Sequence, residues 1–448
     1  MNPVSHPASA ARPQNGSMGA PQDAPQGDPL GISQNGPLGA PQNGARKHAL
    51  QGYLRADGRK GIRNHVSVVY LVECAHHVAR EITWPYRHAG AHLIGFPGCF
   101  SNEYAAMMME RLCLHPNVGA VLLVSLGCEC FQREPLQEKI RESGRPLETI
   151  VIQQNGGTLR SIEDGQRWVA DQLAVLSKAP KVDMALSELV IGTTCGGSDS
   201  LSGVTANPVV GLAFDRLVDD GAAVMFEELG ELIGCDEHMA ERAVSPGLAD
   251  EIRGAMDKTR AYYQHFGHGN IGDGNVEGGL TTIEEKSIGA YTKSGSRPIV
   301  GMIKPGDVPE HGGLYLMDMI PDGPVKFGLP DVNDTAEIVE MVACGCHLIL
   351  FTTGRGSVVG SALAPVIKIC SNPETYRNME GDMDINAGAI IDEVKAPADV
   401  ADALYQQVLA TAAGEHTKSE ALGHQEFLLW YKSMEPIGPA CLPLRQAM

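Results

Sequence analysis

The stretch Thr193 to Asp199, TTCGGSD, brings a thiol, three hydroxyls, two glycines and a carboxylate together within seven residues. Thiolate and carboxylate are metal donors, a carboxylate also moves protons, and glycine leaves backbone amides open to a bound anion. Taken alone, the string equally describes a strand-ending turn with a buried cysteine, because motifs this short are weak evidence. It has company. Gly127 to Gln132 reads GCECFQ, Glu227 and Glu228 close the apolar run Ala222 to Phe226, and Thr352 to Ser357 reads TTGRGS. Upstream, GYLRADGRKGIRNHV concentrates Arg55, Arg59, Lys60 and Arg63, which suits either an anion clamp or a solvated turn.

These stretches follow apolar runs of strand length. Val68 to Val72, Ala120 to Leu126 and Thr149 to Ile152 alternate with helical patterns at Ala75 to His88, Asn102 to Leu114, Pro135 to Ser143 and Thr158 to Ser177. From about residue 186 the alternation resumes, with strands expected at 189–191, 222–226, 298–303, 314–319 and 347–352 and a helix over 207–219. Alternation of this kind specifies α/β architecture, with parallel sheets and right-handed crossovers. We therefore expect two Rossmann-like domains, residues 48–184 and 185–448, whose ligands gather at the carboxyl ends of the strands. The glycine-rich segment Gly267 to Gly279 reads as a loop, and Thr282 with Glu285 as a capping box that opens a helix after it.

Composition excludes several classes of function. Lys plus Arg number 35 against 54 Asp plus Glu, a formal charge of -19, which argues against nonspecific binding to nucleic acid or anionic membrane. No apolar run reaches the roughly 18 residues of a membrane helix and the start lacks a secretory pattern, so a cytoplasmic location is expected. The 11 cysteines include CxC pairs at Cys128/Cys130 and Cys344/Cys346, not the CxxC of a zinc ribbon or thioredoxin site. Residues 1–47, rich in Pro, Gly and Gln, read as a disordered leader.

Six strings in order, GYLRADGRKGIRNHV, LGCE followed by Gln132, TTCGGSD, GGLTTIEEKSIG, TTGRGS and TKSEALGHQEF, resemble the altronate and galactarate dehydratase family, which includes the large subunit of sulfolactate sulfo-lyase. The resemblance covers roughly residues 48 to 433. It implies β-elimination from a hydroxylated carboxylic acid, with Fe2+ or another divalent cation as cofactor rather than an iron–sulfur cluster. Its dehydratases carry a small SAF-type module in front of the two domains, whereas this chain has the leader there. A separate small SAF-domain subunit, as in the sulfo-lyase arrangement, or an enzyme without the module would follow, and a homo-oligomer is expected.

Elimination β to a carboxylate needs a base for the α-proton, a cation for the developing charge and an acid or metal for the leaving group. The expected catalytic set is Cys195, Asp199, Glu129 and Lys286, and the expected metal ligands are Cys128, Glu227 and Glu228. Arg63, Asn64, Gln132, Gly196, Gly197, Ser198, Thr353, Gly354 and Arg355 are expected to bind a small anionic hydroxy acid. Sequence leaves open which donors coordinate, since ferrous iron accepts thiolate and carboxylate alike. Two other classes compete. A nucleotide-binding dehydrogenase would need GxGxxG after the first strand, where the chain reads LVECA. A noncatalytic ligand-binding homologue is separated from an enzyme only by activity.

Overall fold

The computed structural model describes residues 50–267, 273–324 and 333–432. The leader expected at 1–47 and part of the glycine-rich loop lie outside the described residues. The described residues belong to one compact unit, His48–Met448.

The chain enters through β1 (Gln51–Leu54), which pairs antiparallel with β2 (Lys60–Gly61). The first large sheet then builds from β3 (His65–Tyr70), β4 (Ala91–Gly95), β5 (Val118–Ser125) and β6 (Leu147–Val151), parallel throughout in the order β4-β3-β5-β6. Helices α1 (Glu73–Thr83), α2 (Glu103–Cys113), α3 (Arg133–Glu142) and α4 (Thr158–Leu176) make its crossovers and flank. All residues of β5, VGAVLLVS, are buried, as expected of a strand covered on both faces. Strand β4, AHLIG, is not among the expected strands: it is short and has no clear alternation, so its sequence carries little signal. Strand β7 (Val182–Asp183) returns to pair with β1.

The second sheet has seven strands. They are β8 (Val190–Cys195), β9 (Ala223–Phe226), β10 (Ile299–Ile303), β11 (Gly313–Met317), β12 (Leu348–Thr353), β13 (Val366–Cys370) and β14 (Ile385–Asn386). Every pairing is parallel, in the order β10-β11-β9-β8-β12-β13-β14. Strand order reverses between β8 and β12, so that TTCGGSD and TTGRGS emerge side by side where open parallel sheets bind ligands. Helices in this half include α5 (Ala206–Asp219), α6 (Pro246–His265), α7 (Ile283–Lys293), α8 (Asp334–Ala343) and α9 (Lys418–Leu422). Asn333 caps α8 by accepting from the backbone N–H of Thr335 and Ala336, both at 3.1 Å. Thr282 caps α7 by accepting from Glu285 N, but the Glu285 carboxylate reaches back to Thr281 at 2.9 Å instead of closing a box on Thr282.

One apolar core runs through both large sheets. Val69, Leu71 and Phe96 of the first share a buried cluster with Met225, Met317 and Phe351 of the second. Buried Asn117 accepts from the backbone N–H of Ile62 and Arg63 and donates to the carbonyls of His347 and Leu363, which locks the amino ends of β5 and β12 together.

Candidate active site

Three donors converge at the carboxyl end of the seven-stranded sheet. Cys195 ends β8, and Glu228 and Glu231 follow β9 on a tight turn in which Glu231 N donates to the Glu228 carbonyl. A ligand atom from each lies within 4.8 Å of the other two, and all three residues are buried. The Cys195 thiol lies 3.3 Å from the Glu231 carboxylate. Burial, and then the charges of Glu228 and Glu231, push this thiol well above its ordinary range.

Two lysines on one helical face close the cluster. Lys286 and Lys293 are seven residues apart on α7, two turns, so both ammonium groups face inward. Lys286 Nζ lies 2.8 Å from Glu231, 2.6 Å from Ser198 Oγ and 3.4 Å from Cys195 Sγ. Lys293 Nζ pairs with both oxygens of Glu228. Burial opposes the Lys286 charge, yet the carboxylate fields of Glu231 and Glu228 outweigh it and hold the ammonium protonated. Burial likewise opposes the Glu231 charge, and the two lysines keep it ionised below its ordinary range. The donor set suits a divalent cation, since thiolate and carboxylate serve a borderline metal and the atoms already converge. Two ammoniums balance the two carboxylates, so such an ion would leave net positive charge for an acid substrate to complete.

The structure divides the expected residues into groups. Cys195, Ser198, Glu228 and Lys286 come together, with Gly196, Gly197, Thr353, Gly354 and Arg355 on the adjoining loops, where the backbone N–H of Gly354 and Arg355 both donate to the Gly197 carbonyl. Arg355 carries an ion pair to Glu277 at 3.1 Å. Asp199 sits beside them, but its oxygens accept from Ser371, Ser202 and Asn372 at 2.7, 2.9 and 3.0 Å and from the backbone of Leu201. It fastens the β8 loop to the end of β13. Gly354 is required by this arrangement, because a Cβ there would lie 2.3 Å from the Asp199 carboxylate.

Glu227 is not in the donor cluster. Consecutive residues leaving a strand face opposite ways, so Glu228 turns toward Cys195 while Glu227 turns toward Thr194 and Glu337 of α8. Burial and the neighbouring Glu337 raise the Glu227 carboxyl well above its ordinary range. Cys128, Glu129 and Gln132 belong to the other sheet, beyond β5, where Cys128 and Gln132 are exposed and Glu129 bonds to Ser125 and the backbone of Gly127. Cys128 is therefore absent from the donor set, and Cys195 stands in it instead. Arg63 and Asn64 lie at the amino end of β3. The Arg63 guanidinium is spent on Glu420 at 2.7 Å and on the carbonyls of Ile62, Thr411 and Glu415, and Asn64 donates to the Leu176 carbonyl.

Sequence reasoning missed Glu231, Lys293 and Glu337. The three-residue step from Glu228 to Glu231, the seven-residue step from Lys286 to Lys293 and the run Asp334, Glu337, Glu340 each repeat polar residues on one face of a turn or helix. Periodicity was legible there, in polar rather than apolar residues.

A doubly wound parallel sheet with thiol, carboxylates and lysines at its switch point, taken with the relatives of this chain, defines a lyase of dehydratase type. Residues 52–177 match the family model for the D-galactarate dehydratase/altronate hydrolase second domain, and residues 186–435 match that for the D-galactarate/altronate dehydratase C-terminal domain. The chain belongs to this D-galactarate/altronate dehydratase family. It is 32% identical over 391 residues to the (2R)-sulfolactate sulfo-lyase subunit beta of Chromohalobacter salexigens, covering 84% of this chain and 96% of that protein. It is 30% identical over 397 residues to the galactarate dehydratase (L-threo-forming) of Escherichia coli, covering 82% and 73%, and 26% identical over 396 residues to the altronate dehydratase of Bacillus subtilis, covering 85% and 77%. No described helix is long and apolar enough to cross a membrane.

Proposed function

We propose that this lyase removes water from the β position of a sugar-derived hydroxy acid of the altronate or galactarate class, giving a 2-oxo acid, at the centre formed by Cys195, Glu228, Glu231, Lys286 and Lys293. The observation that carries this reading is the convergence of three metal donors and two buried ammoniums at the switch point of the second sheet. Cys195, Glu228 and Glu231 would hold a divalent cation, ferrous iron in this reading, which when bound supplies Lewis acidity toward a substrate oxygen. Lys286, held protonated, is assigned to the charge that develops on the substrate carboxylate as the α-proton leaves. Arg355 and the amides of Gly196 and Gly197 would orient the distal end of the acid. Asp199 positions the loop without touching substrate.

The 32% identity across nearly the whole sulfo-lyase subunit supports a second reading, sulfite loss from sulfolactate. That relative is named a subunit, which supports work with a separate small SAF-type partner. Self-association, a cytoplasmic location and a division into units 48–184 and 185–448 complete the proposal. The deciding experiment is anaerobic purification with and without Fe(II), with and without an SAF-type partner, and assay of 2-oxo acid formation from altronate, galactarate and sulfolactate. Turnover of one substrate names the leaving group; turnover of none sinks the proposal.

A further inference from the structure

A cavity lies away from this centre, at the amino ends of the strands. Its volume is about 450 Å³, and its walls come from the start of β3, the turn before β4, the end of α4 and the segment around α9. Ser419 of α9 donates to the carbonyl of Val366, which begins β13, whereas Ser371, just past the other end of that strand, bonds Asp199. Five residues of strand rise roughly 16 Å, so the cavity and the Cys195 centre sit at opposite edges of the sheet.

The lining is basic in a chain of charge -19. Arg63, Arg87, Lys181 and the imidazoles of His88, His416 and His424, with His65 and His92 kept neutral by burial, face one carboxylate, Glu420, which Arg63 already neutralises. The other two cations lack a carboxylate partner among the described residues, although Arg87 Nη1 donates to the Trp84 carbonyl at 2.8 Å. Among the described residues neither Lys181 nor Arg87 has a carboxylate within ion-pair distance: Lys181 rests over the Tyr53 ring at 5.2 Å and Arg87 over the Trp84 ring at 4.1 Å. The segment that closes the cavity is shaped to its neighbours, since a Cβ on Gly423 would lie 2.9 Å from the His88 ring and Gln425 donates to the Arg87 carbonyl.

We propose that this cavity is a second binding site, for a small molecule carrying two or more oxyanion groups, carboxylate or phosphate, held by Lys181, Arg87 and the imidazoles of His88, His416 and His424. Two cations without carboxylate partners on a concave, polar wall supply the charge such a ligand needs, and the pairing of Arg63 with Glu420 leaves a preformed floor. The site is independent of the elimination chemistry, so it stands or falls separately from the proposed substrate.

Calorimetric titration of the full chain with citrate and, separately, with inorganic pyrophosphate tests it. Binding of one anion per chain is expected, with the tighter of the two marking the carboxylate or phosphate preference. The double variant Lys181→Ala/Arg87→Ala, with an unchanged melting temperature, should weaken binding about a hundredfold, because each lost charged hydrogen bond accounts for about tenfold. Lys286→Met combined with Glu231→Gln, which removes both partners of the buried pair, should leave it intact. No heat with either anion, undiminished binding in Lys181→Ala/Arg87→Ala, or loss of binding in a folded Lys286→Met/Glu231→Gln variant would each overturn the proposal.

Discussion

Lys286 Nζ lies 2.8 Å from Glu231 Oε1, with both side chains more than nine-tenths buried. Removing one partner of such a pair leaves an uncompensated buried charge, which costs about 3–5 kcal/mol. Lys286→Met should therefore lower stability by an amount of that order in urea unfolding, and adding Glu231→Gln should restore most of it. Stability and activity then separate: the double variant should be folded and inactive toward every acid tested. An active double variant would remove Lys286 from the chemistry.

The three donors make a second prediction that needs no turnover. Cobalt(II) added anaerobically should give a thiolate-to-metal charge-transfer band, because Cys195 would be the sulfur ligand. Cys195→Ser should abolish the band and Cys128→Ser should leave it. Since burial holds the Cys195 thiol protonated, coordination must displace a proton, and affinity should rise with pH. A band that survives Cys195→Ser would move the metal elsewhere.

Asp199 accepts from four donors across two loops. Asn in its place would turn an NH2 toward at least one of those donors, at a cost of about 2–3 kcal/mol. Asp199→Asn should lose that much in a denaturant titration and keep its substrate KM within severalfold. Full stability with abolished turnover would instead make Asp199 a catalytic group.

What the sequence disclosed depends on which signals are local. Apolar runs such as Leu348–Thr353 announce buried strands, and glycines after them announce loops, so the α/β layering and the TTCGGSD and TTGRGS loops were legible. Pairing between distant elements was not. Nothing local says that Arg63 meets Glu420, 357 positions away, or that the loop after β5 adds no donor to the Cys195 cluster, which is why Arg63 and Cys128 stood among the expected site residues. Strand β13, VIKIC, escaped because buried Lys368 interrupts its apolar run. Its backbone N–H donates to Asp384, and its Nζ lies 3.5 Å from His424 Nδ1.

His347 supplies a prediction about pH. Its Nε2–H donates to the Lys60 carbonyl at 2.8 Å and its Nδ1 accepts from Val190 N–H at 3.0 Å, an arrangement that fixes the neutral tautomer between β2 and the two central strands. Burial drives its pKa down from the ordinary 6.5 to about 4. Below pH 6.5 the unfolded chain takes up this proton and the folded chain does not, so stability falls as pH drops. From this one residue the loss should approach about 3 kcal/mol near pH 4. Urea midpoints between pH 7.5 and 5 should decline accordingly, and His347→Gln, which can keep one donor and one acceptor, should be less stable at pH 7.5 yet show a shallower decline. An unchanged slope would mean that His65, His92 and His115, whose pKa values burial also lowers, carry the whole effect.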